Sequence, residues 1–165
     1  MVKKRVLFMC IHNAARSQMA EGLFRHFYGD GFDVYSAGSE PQGVDPLAIK
    51  CMDEIGIDIS NHRSKSLKEF EGQNFDYVIT VCGNSYNACP FFVGGIKYFK
   101  QAFEDPSSFE GNEKEKLELF NKVRDELSFW LNDLYYSYLL PDDERVVEED
   151  KDVCCGSIDR EFSCR

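Results

Sequence analysis

Short apolar runs alternate with segments of helical period along this chain, and this alternation is the feature that most constrains its fold. The runs at residues 5–9, 77–81 and 96–99, together with residues 32–36, predict four strands. Segments of helical period follow the first strand, the second strand and the fourth strand. Because parallel strands need crossover connections, this pattern predicts an α/β fold, a four-stranded parallel sheet with helices on both faces. In such sheets ligands bind beyond the carboxyl ends of the strands.

The three predicted helices carry apolar stripes that we expect to be buried. The first helix has a C-cap glycine at Gly29, the second opens at Asp45 with Pro46 in its first turn and ends at Gly56, and the third runs from about Asn112 to Pro141. The positions expected to face the core are Met19, Leu23, Phe24, Phe27, Ala48, Cys51, Met52, Ile55, Leu117, Phe120, Leu127, Leu131, Leu134 and Tyr138.

Size and charge limit the classes of protein to which this chain can belong. With 165 residues, 43% of them hydrophobic, the chain is long enough for one domain, which we assign to residues 1–140. Residues 141–165 hold nine acidic and four basic residues, half of the net charge of −10, and we expect them to form a mobile acidic tail. The acidic balance argues against nucleic-acid and membrane partners. Without a signal peptide or a spanning segment, we expect a cytoplasmic protein that is a monomer.

Cysteine usage points to thiol chemistry. In a reducing compartment, cysteines serve metal binding, catalysis or redox reactions more often than structural disulfides. The chain has no Cys-x-x-Cys pair, and its three histidines show no zinc spacing with the cysteines, so we predict no metal site and no tightly bound cofactor. The seven cysteines are Cys10, Cys51, Cys82, Cys89, Cys154, Cys155 and Cys164.

The segment Cys-Ile-His-Asn-Ala-Ala-Arg-Ser at residues 10–17 joins the first predicted strand to the first helix. Loop amides at a helix N-terminus form a nest for a tetrahedral anion, and the Arg16 guanidinium can hold two of its oxygens. The same positive field favours the nucleophilic thiolate of Cys10. Ser17 can donate to that thiolate, or it can cap the helix. The predicted substrate-binding residues are Ile11, His12, Asn13, Ala14, Ala15 and Arg16.

Two further motifs follow the third and fourth strands. Cys82 and Cys89 leave the same edge of the sheet as Cys10, and they are either redox partners, inert thiols or metal ligands. In a straight helix, seven residues would separate their Cα atoms by about 10 Å, whereas a disulfide spans at most about 7 Å. A bond between them therefore requires residues 82–90 to change conformation with oxidation state. Asp105-Pro106 is either a simple turn or a catalytic acid held in an extended conformation.

The Cys-x5-Arg-Ser segment resembles the low-molecular-weight tyrosine phosphatase fold. Residues 16–22 (Arg-Ser-Gln-Met-Ala-Glu-Gly) narrow the resemblance to the arsenate reductases of that fold, and residues 36–38 and 56–60 are similar to that group as well. The resemblance covers about residues 4–138. The Cys82 and Cys89 spacing matches the thioredoxin-coupled arsenate reductases.

This resemblance implies a mechanism and its partners. Cys10 attacks arsenate held by Arg16 and the loop amides, and Asp105 protonates the departing oxygen. Cys82 then attacks the Cys10 adduct and releases arsenite, after which Cys89 forms a Cys82–Cys89 disulfide that thioredoxin reduces. Phosphate and sulfate are expected to compete with arsenate as anions of the same shape.

The chain departs from this family at two places. Ala14 and Ala15 stand where Ser and Cys are frequent, and we expect function to survive because backbone amides bind the anion. Some members bind potassium through Asn, Glu, Ser and Asp. Asn13, Glu21 and Ser36 match this set, but Lys65 stands at the aspartate position. We therefore predict that the Lys65 ammonium replaces the cation and neutralises Glu21.

Two alternative functions remain open at this point. A low-molecular-weight tyrosine phosphatase would share Cys10, Arg16 and Asp105, although Gln18 and Ser107 replace the proline and tyrosine that are usual there. A thiol-based arsenite- or metal-binding protein would instead use Cys154, Cys155 and Cys164. We assign Cys51 to the core.

Overall fold

The chain is described by a computed structural model that covers residues 2–83, 89–141 and 144. In this part of the chain, a single sheet has the strand order β2-β1-β3-β4. Each neighbouring pair is parallel, which confirms the predicted sheet. The strands are β1 (Lys4–Cys10), β2 (Phe32–Gly38), β3 (Phe75–Thr80) and β4 (Gly95–Lys100). The α-helices are α1 (Arg16–Tyr28), α2 (Pro46–Asp53) and α3 (Glu113–Leu134). Two short 3-10 helices span Leu67–Phe70 and Pro106–Ser108.

The central strand β1 is apolar throughout its second half because it is covered on both sides. On one face, the Phe8 ring packs edge-on against Phe24 of α1, with ring centroids 5.6 Å apart. On the other face, Leu7 and Met9 belong to a buried cluster with Phe70 of the first 3-10 helix. The sheet is therefore covered by an α-helix on one face and by a 3-10 helix with its flanking segments on the other.

Cys51 of α2 makes hydrogen bonds with both of the other α-helices. The Cys51 thiol of α2 donates to Met19 Sδ of α1 at 3.4 Å, and Arg124 Nη1 of α3 donates to the Cys51 carbonyl at 2.7 Å. Cys51 is fully buried, as predicted for a core residue, and burial raises the pKa of its thiol to about 12. We infer that Cys51 packs in the core and stays protonated.

The predicted burial of Phe27 is wrong. Its side chain is 58% exposed, whereas Tyr28 lies against Phe24 with ring centroids 4.9 Å apart. Residues four apart stack along a helix, so Tyr28 takes the position below Phe24 and turns Phe27 outward.

Two other predicted core positions also lie outside the core. Ile55 is 43% exposed because α2 ends at Asp53, so the helical period no longer applies two residues later. Tyr138 is 55% exposed and Leu139 is buried instead. Residues Tyr135–Leu139 form a π-helix, whose wider turn moves the buried position one residue along the chain.

The first compact unit of the chain ends at Leu131 and contains the sheet, α1, α2 and most of α3. Beyond it, the described residues are the end of α3, the π-helix, Leu140, Pro141 and Glu144. Almost all of the predicted acidic tail, with Cys154, Cys155 and Cys164, lies outside the described residues. The domain boundary at residue 140 therefore stays a prediction.

None of the helices in the described ranges is long and apolar enough to cross a membrane. The predicted cytoplasmic location and monomeric state stay predictions.

The register of the sheet gathers four loops at one edge. Cys10 ends β1 opposite Gly38 of β2, and Met9 lies opposite Thr80 of β3. Because all strands are parallel, the segments that follow β1, β2, β3 and β4 leave at this same carboxyl edge. The predicted catalytic residues come from these segments.

Candidate active site

Residues 10–16, which we name the anion loop, wrap around the Cys10 sulfur. The Asn13 amide donates to Cys10 Sγ at 3.2 Å, and the Ser17 hydroxyl lies 2.8 Å from the same sulfur. The N-cap of α1 is Ala15, which makes no side-chain cap. Ser17 is therefore not the N-cap, and its hydroxyl contacts the predicted nucleophile. The Cys10 sulfur is thus contacted by one backbone amide and one side-chain hydroxyl.

The loop carbonyls are turned away from the site. Glu40 N donates to the Ile11 carbonyl, Gln42 N to the His12 carbonyl and Asp45 N to the Ala14 carbonyl, at 2.8 Å, 3.1 Å and 2.9 Å. In a planar trans peptide the N–H points opposite to the preceding C=O. The amides that follow these carbonyls therefore point opposite to the three hydrogen bonds, and the amide after the His12 carbonyl, Asn13 N, donates to Cys10 Sγ.

The buried side chain of Asn13 holds the loop in shape. Its Nδ2 donates to Ser17 Oγ at 2.7 Å and to Ser36 Oγ at 3.0 Å, and its Oδ1 accepts from Gln18 Nε2 and from Lys65 N, both at 2.8 Å. Asn13 also adopts a left-handed backbone conformation with φ 46°. Asparagine tolerates this conformation better than most residues. These contacts fix the position of the Asn13 amide beside Cys10.

A close approach explains the glycine at the end of β2. A Cβ atom at Gly38 would lie 2.4 Å from the Ile11 carbonyl oxygen and 2.9 Å from the Asn13 nitrogen. Both contacts are with backbone, which cannot move aside without deforming the anion loop. The residues 36–38 motif is therefore part of the site as well as part of the strand.

A cavity of about 270 Å³ opens onto Cys10. Arg16 lines it, is only 6% exposed, and is oriented by a 3.0 Å hydrogen bond from Nη1 to the Phe103 carbonyl. Asp105 faces it across the cavity, with Oδ2 3.4 Å from Arg16 Nη2. The other lining residues are His12, Ala14, Ala15, Gln42, Gly43, Val44, Asp45, Pro46 and Ser107.

Asp105 lies in a turn, as one of the two predictions has it, and its carboxyl group lines the cavity, while its role as a catalytic acid stays a prediction. Its Oδ1 accepts from Ser107 N at 3.1 Å and caps the 3-10 turn, while Oδ2 faces Arg16. Ser107 in turn donates its hydroxyl to Asp45 Oδ2 at 2.8 Å. The turn thus positions the carboxyl group at the cavity, and a second segment of the chain holds the turn.

Cys82 lies close to Arg16, which lines this cavity, although neither Cys82 nor Cys89 is itself a lining residue. Cys82 is 1% exposed, and a Cβ atom on the next residue, Gly83, would lie 3.4 Å from Arg16 Nη1. Burial raises the pKa of the Cys82 thiol, as do its hydrogen bond with Cys89 and the charges of Cys89 and Cys10, whereas Arg16 opposes the rise. The structure therefore brings Cys10, Cys82 and Cys89 together as free thiols.

The conformational change predicted for residues 82–90 stays a prediction, since residues 84–88 lie outside the described part of the chain.

At the predicted cation position, Lys65 Nζ lies 3.4 Å from Glu21 Oε2. The same carboxylate accepts from Ser36 Oγ, and its Oε1 lies 2.5 Å from Arg25 Nη2. Both Lys65 and Glu21 are largely buried, with side chains 12% and 5% exposed. The ammonium thus faces Glu21 as predicted, but whether the chain responds to potassium stays a prediction.

The sequence analysis did not identify three residues, Gln18, His62 and Ser64, that hold the anion loop in place through hydrogen bonds. Gln18 is fully buried and donates to Asn13, and its Oε1 contacts His62 Nδ1 at 3.0 Å. Ser64 Oγ donates to the Asn13 carbonyl at 2.9 Å. Residues 60–66 contain no apolar side chain, and this polar run beside a buried loop was the available signal.

Comparison with known proteins places this geometry in a family. Residues 5–146 match the family described as low molecular weight phosphotyrosine protein phosphatase. An arsenate reductase of Halalkalibacterium halodurans is 44% identical over 127 residues, which is 77% of this chain and 91% of that protein. A solved arsenate reductase in the phosphate binding state superposes with a TM-score of 0.68 at 35% identity, covering 79% of this chain and 95% of the other.

A thioredoxin-dependent arsenate reductase of Corynebacterium glutamicum superposes with a TM-score of 0.53 at 31% identity, covering 79% of this chain and 62% of the other. The resemblance predicted from the Cys10 and Cys82 motifs is thereby confirmed. The chain belongs to the low molecular weight phosphotyrosine protein phosphatase family, among its arsenate reductases.

Proposed function

We propose that this protein reduces arsenate to arsenite with a relay of three cysteines. The observation that carries the proposal is the position of Cys82, a buried thiol that interacts electrostatically with Cys10, Cys89 and Arg16 and is followed in the chain by Gly83, which lies close to Arg16. A phosphatase of this fold needs only the nucleophile, the arginine and the acid. The two additional thiols, Cys82 and Cys89, are required by a reductase.

In the first step, the Cys10 thiolate attacks arsenic and a thiol–arsenate adduct forms. An arsenate hydroxyl group takes a proton from Asp105, which lies at the cavity, and leaves as water. Arg16 and the N-terminus of α1 stabilise the negative charge on the remaining oxygens. Phosphate and sulfate have the same tetrahedral shape, and we expect them to compete for this cavity.

In the second step, the Cys82 thiolate attacks the Cys10 sulfur and a Cys10–Cys82 disulfide forms. The electron pair of the sulfur–arsenic bond stays with arsenic, which leaves as arsenite. In the third step, the Cys89 thiolate attacks the Cys82 sulfur, and Cys10 is released as a thiolate. Two thiols are oxidised to one disulfide for each arsenic that is reduced, and no metal or organic cofactor enters the balance.

The Cys82–Cys89 disulfide requires an external dithiol, and we propose thioredoxin. Two observations support this choice: the chain resembles a thioredoxin-dependent arsenate reductase of Corynebacterium glutamicum, and Cys89 is more accessible than Cys82. A dithiol protein that meets the accessible sulfur can reduce the bond without entering the anion cavity.

The test is arsenate-dependent NADPH consumption with thioredoxin and thioredoxin reductase. We expect the wild type to turn over many times and Cys89→Ser to stop after about one arsenite per protein molecule. Cys51→Ala is the matched control, since that thiol is buried between α1, α2 and α3 away from the cavity, and it should turn over like the wild type. Absence of arsenate-dependent turnover, with aryl-phosphate hydrolysis that Cys89→Ser leaves unchanged, would assign the chain to the phosphatases.

A further inference from the structure

Four exposed apolar side chains lie shortly after Cys89 in the chain. Phe91, Val93, Ile96 and Tyr98 have exposed fractions of 77%, 78%, 73% and 46%. The rings of Phe91 and Tyr98 are stacked, with centroids 5.6 Å apart. We name these four residues the apolar patch. Solvent-exposed groups of this kind mark interaction surfaces more often than single exposed apolar residues do.

The backbone beneath the patch is fixed by the core. Phe92, between two outward residues, is 4% exposed, and its ring packs edge-on against Phe75 with centroids 5.7 Å apart. The Tyr98 hydroxyl donates to the Phe92 carbonyl at 3.1 Å and accepts from Gly95 N at 2.9 Å. A partner that binds the patch therefore meets an ordered surface, which lowers the entropy cost of association.

The apolar patch includes a part of the sheet that is exposed to solvent. Ile96 and Tyr98 belong to β4, the edge strand, and Tyr98 is in register with Val78 of the buried cluster that includes Leu7 and Phe92. The 3-10 helix that covers this face of β1 contributes Phe70 to that cluster, but Ile96 stays exposed to solvent. Folding alone gives no reason for apolar side chains there.

Distance along the chain links the patch to Cys89. Two extended residues span at most about 7 Å and four at most about 14 Å, which are upper limits for the Cα separations of Phe91 and Val93 from Cys89. Transient redox complexes bury about 1,000 Å² in total, so each partner covers about 500 Å², a disc with a radius of roughly 13 Å. A protein that brings a sulfur atom into contact with Cys89 thus covers at least the nearer part of the patch.

We propose that the apolar patch is the docking surface for the dithiol protein that recycles this enzyme, which we take to be thioredoxin. The inference rests on the proposed function, since it requires a Cys82–Cys89 disulfide. A thiolate of the partner attacks the Cys89 sulfur, forms a mixed disulfide and releases Cys82 as a thiolate. The second thiol of the partner then resolves the mixed disulfide, so that the partner is oxidised and Cys82 and Cys89 are reduced.

The test compares a protein reductant with a small one on the full-length chain. In Phe91→Ser/Ile96→Ser, we expect the KM for thioredoxin to rise at least tenfold. Recycling by dithiothreitol and the first arsenite formed without any reductant should both stay at the wild-type rate. Phe129→Ser is the matched control, because Phe129 is 80% exposed on α3 and lies outside the patch; its KM for thioredoxin should be unchanged.

The readout remains valid if the double variant folds poorly. The ratio of the thioredoxin-driven rate to the dithiothreitol-driven rate cancels any loss of folded protein, and Val93→Ser provides a milder second variant with the same expected direction. A KM for thioredoxin that equals the wild-type value in both variants would overturn the docking proposal and leave the arsenate chemistry untouched. Failure of the proposed function is distinct, because the wild type would then form no arsenite in the first turnover.

Discussion

Asp105 and Arg16 form an ion pair across the candidate active site, with Oδ2 3.4 Å from Nη2. Arg16 is buried while Asp105 is about one-third exposed, so the pair joins a fixed cation to a more accessible carboxylate. The residue that would hold the substrate and the residue that would supply its proton therefore contact each other directly. Because different side chains would serve binding and protonation, each of the two steps can be tested by its own substitution.

Asp105→Asn should slow formation of the Cys10 adduct by about 10²–10⁴-fold, because an amide cannot donate the proton that the departing oxygen needs. The KM for arsenate should change little, since Arg16 and the loop amides remain. Single-turnover arsenite formation measures the step, with Glu104→Gln as a control for the loss of a neighbouring acidic side chain. An unchanged single-turnover rate in Asp105→Asn would remove Asp105 from the mechanism.

Ser107 is expected to act as a positioning residue for Asp105, because it donates its amide to Asp105 and its hydroxyl to Asp45. Ser107→Ala should lower kcat several-fold and leave the KM for arsenate unchanged. In the Asp105→Asn background the same substitution should have no further effect on kcat. The effects of substitutions are not additive when one residue acts through the other. Equal losses in both backgrounds would mean that Ser107 acts independently of Asp105.

The Lys65–Glu21 pair predicts how the protein responds to potassium. With the ammonium 3.4 Å from Glu21, the wild type should have the same activity in KCl and in NaCl. Lys65→Asp should destabilise the fold by about 2 kcal/mol, because a buried carboxylate loses a partner and gains a like charge. Potassium, but not sodium, should restore part of that loss in thermal unfolding. A clear preference of the wild type for potassium would contradict this account.

The raised pKa of Cys82 predicts how its reactivity varies with pH. Burial, the largest cause, disfavours the thiolate, so the thiolate fraction should rise tenfold per pH unit and continue to rise past the ordinary thiol pKa of 9.0. Alkylation of Cys82 by iodoacetamide, followed by mass spectrometry from pH 6.5 to 10, measures this directly. Free glutathione in the same reaction should level off near pH 9. A plateau for Cys82 at the same pH as glutathione would show that burial does not control this thiol.

Local patterns in the sequence were sufficient for the parallel sheet and for the anion loop. Because β1 is buried on both faces, its sequence is a continuous apolar run. An anion nest needs consecutive backbone amides between a strand and a helix. Both features can therefore be recognised from residues that are adjacent in the sequence. The same reasoning failed at Phe27 and Tyr138. At the first position, Phe27 and Tyr28 both fit the helical period after Phe24, and only packing decides between them. At the second position, a π-helix replaces the α-helical period.

The supports of the site depend on tertiary structure. Lys65 reaches the Asn13 side chain across 52 positions of the chain, and Ser107 reaches Asp45 across 62. Such contacts exist only because parallel pairing brings the carboxyl ends of all four strands to one edge. The sequence by itself predicted Cys10 as the nucleophile and Arg16 as its anion-binding partner, and it determined the order of strands and helices, since these follow from neighbouring residues. Only the folded structure decided which side chains hold them in place, because that depends on strand register and on distant segments meeting in space.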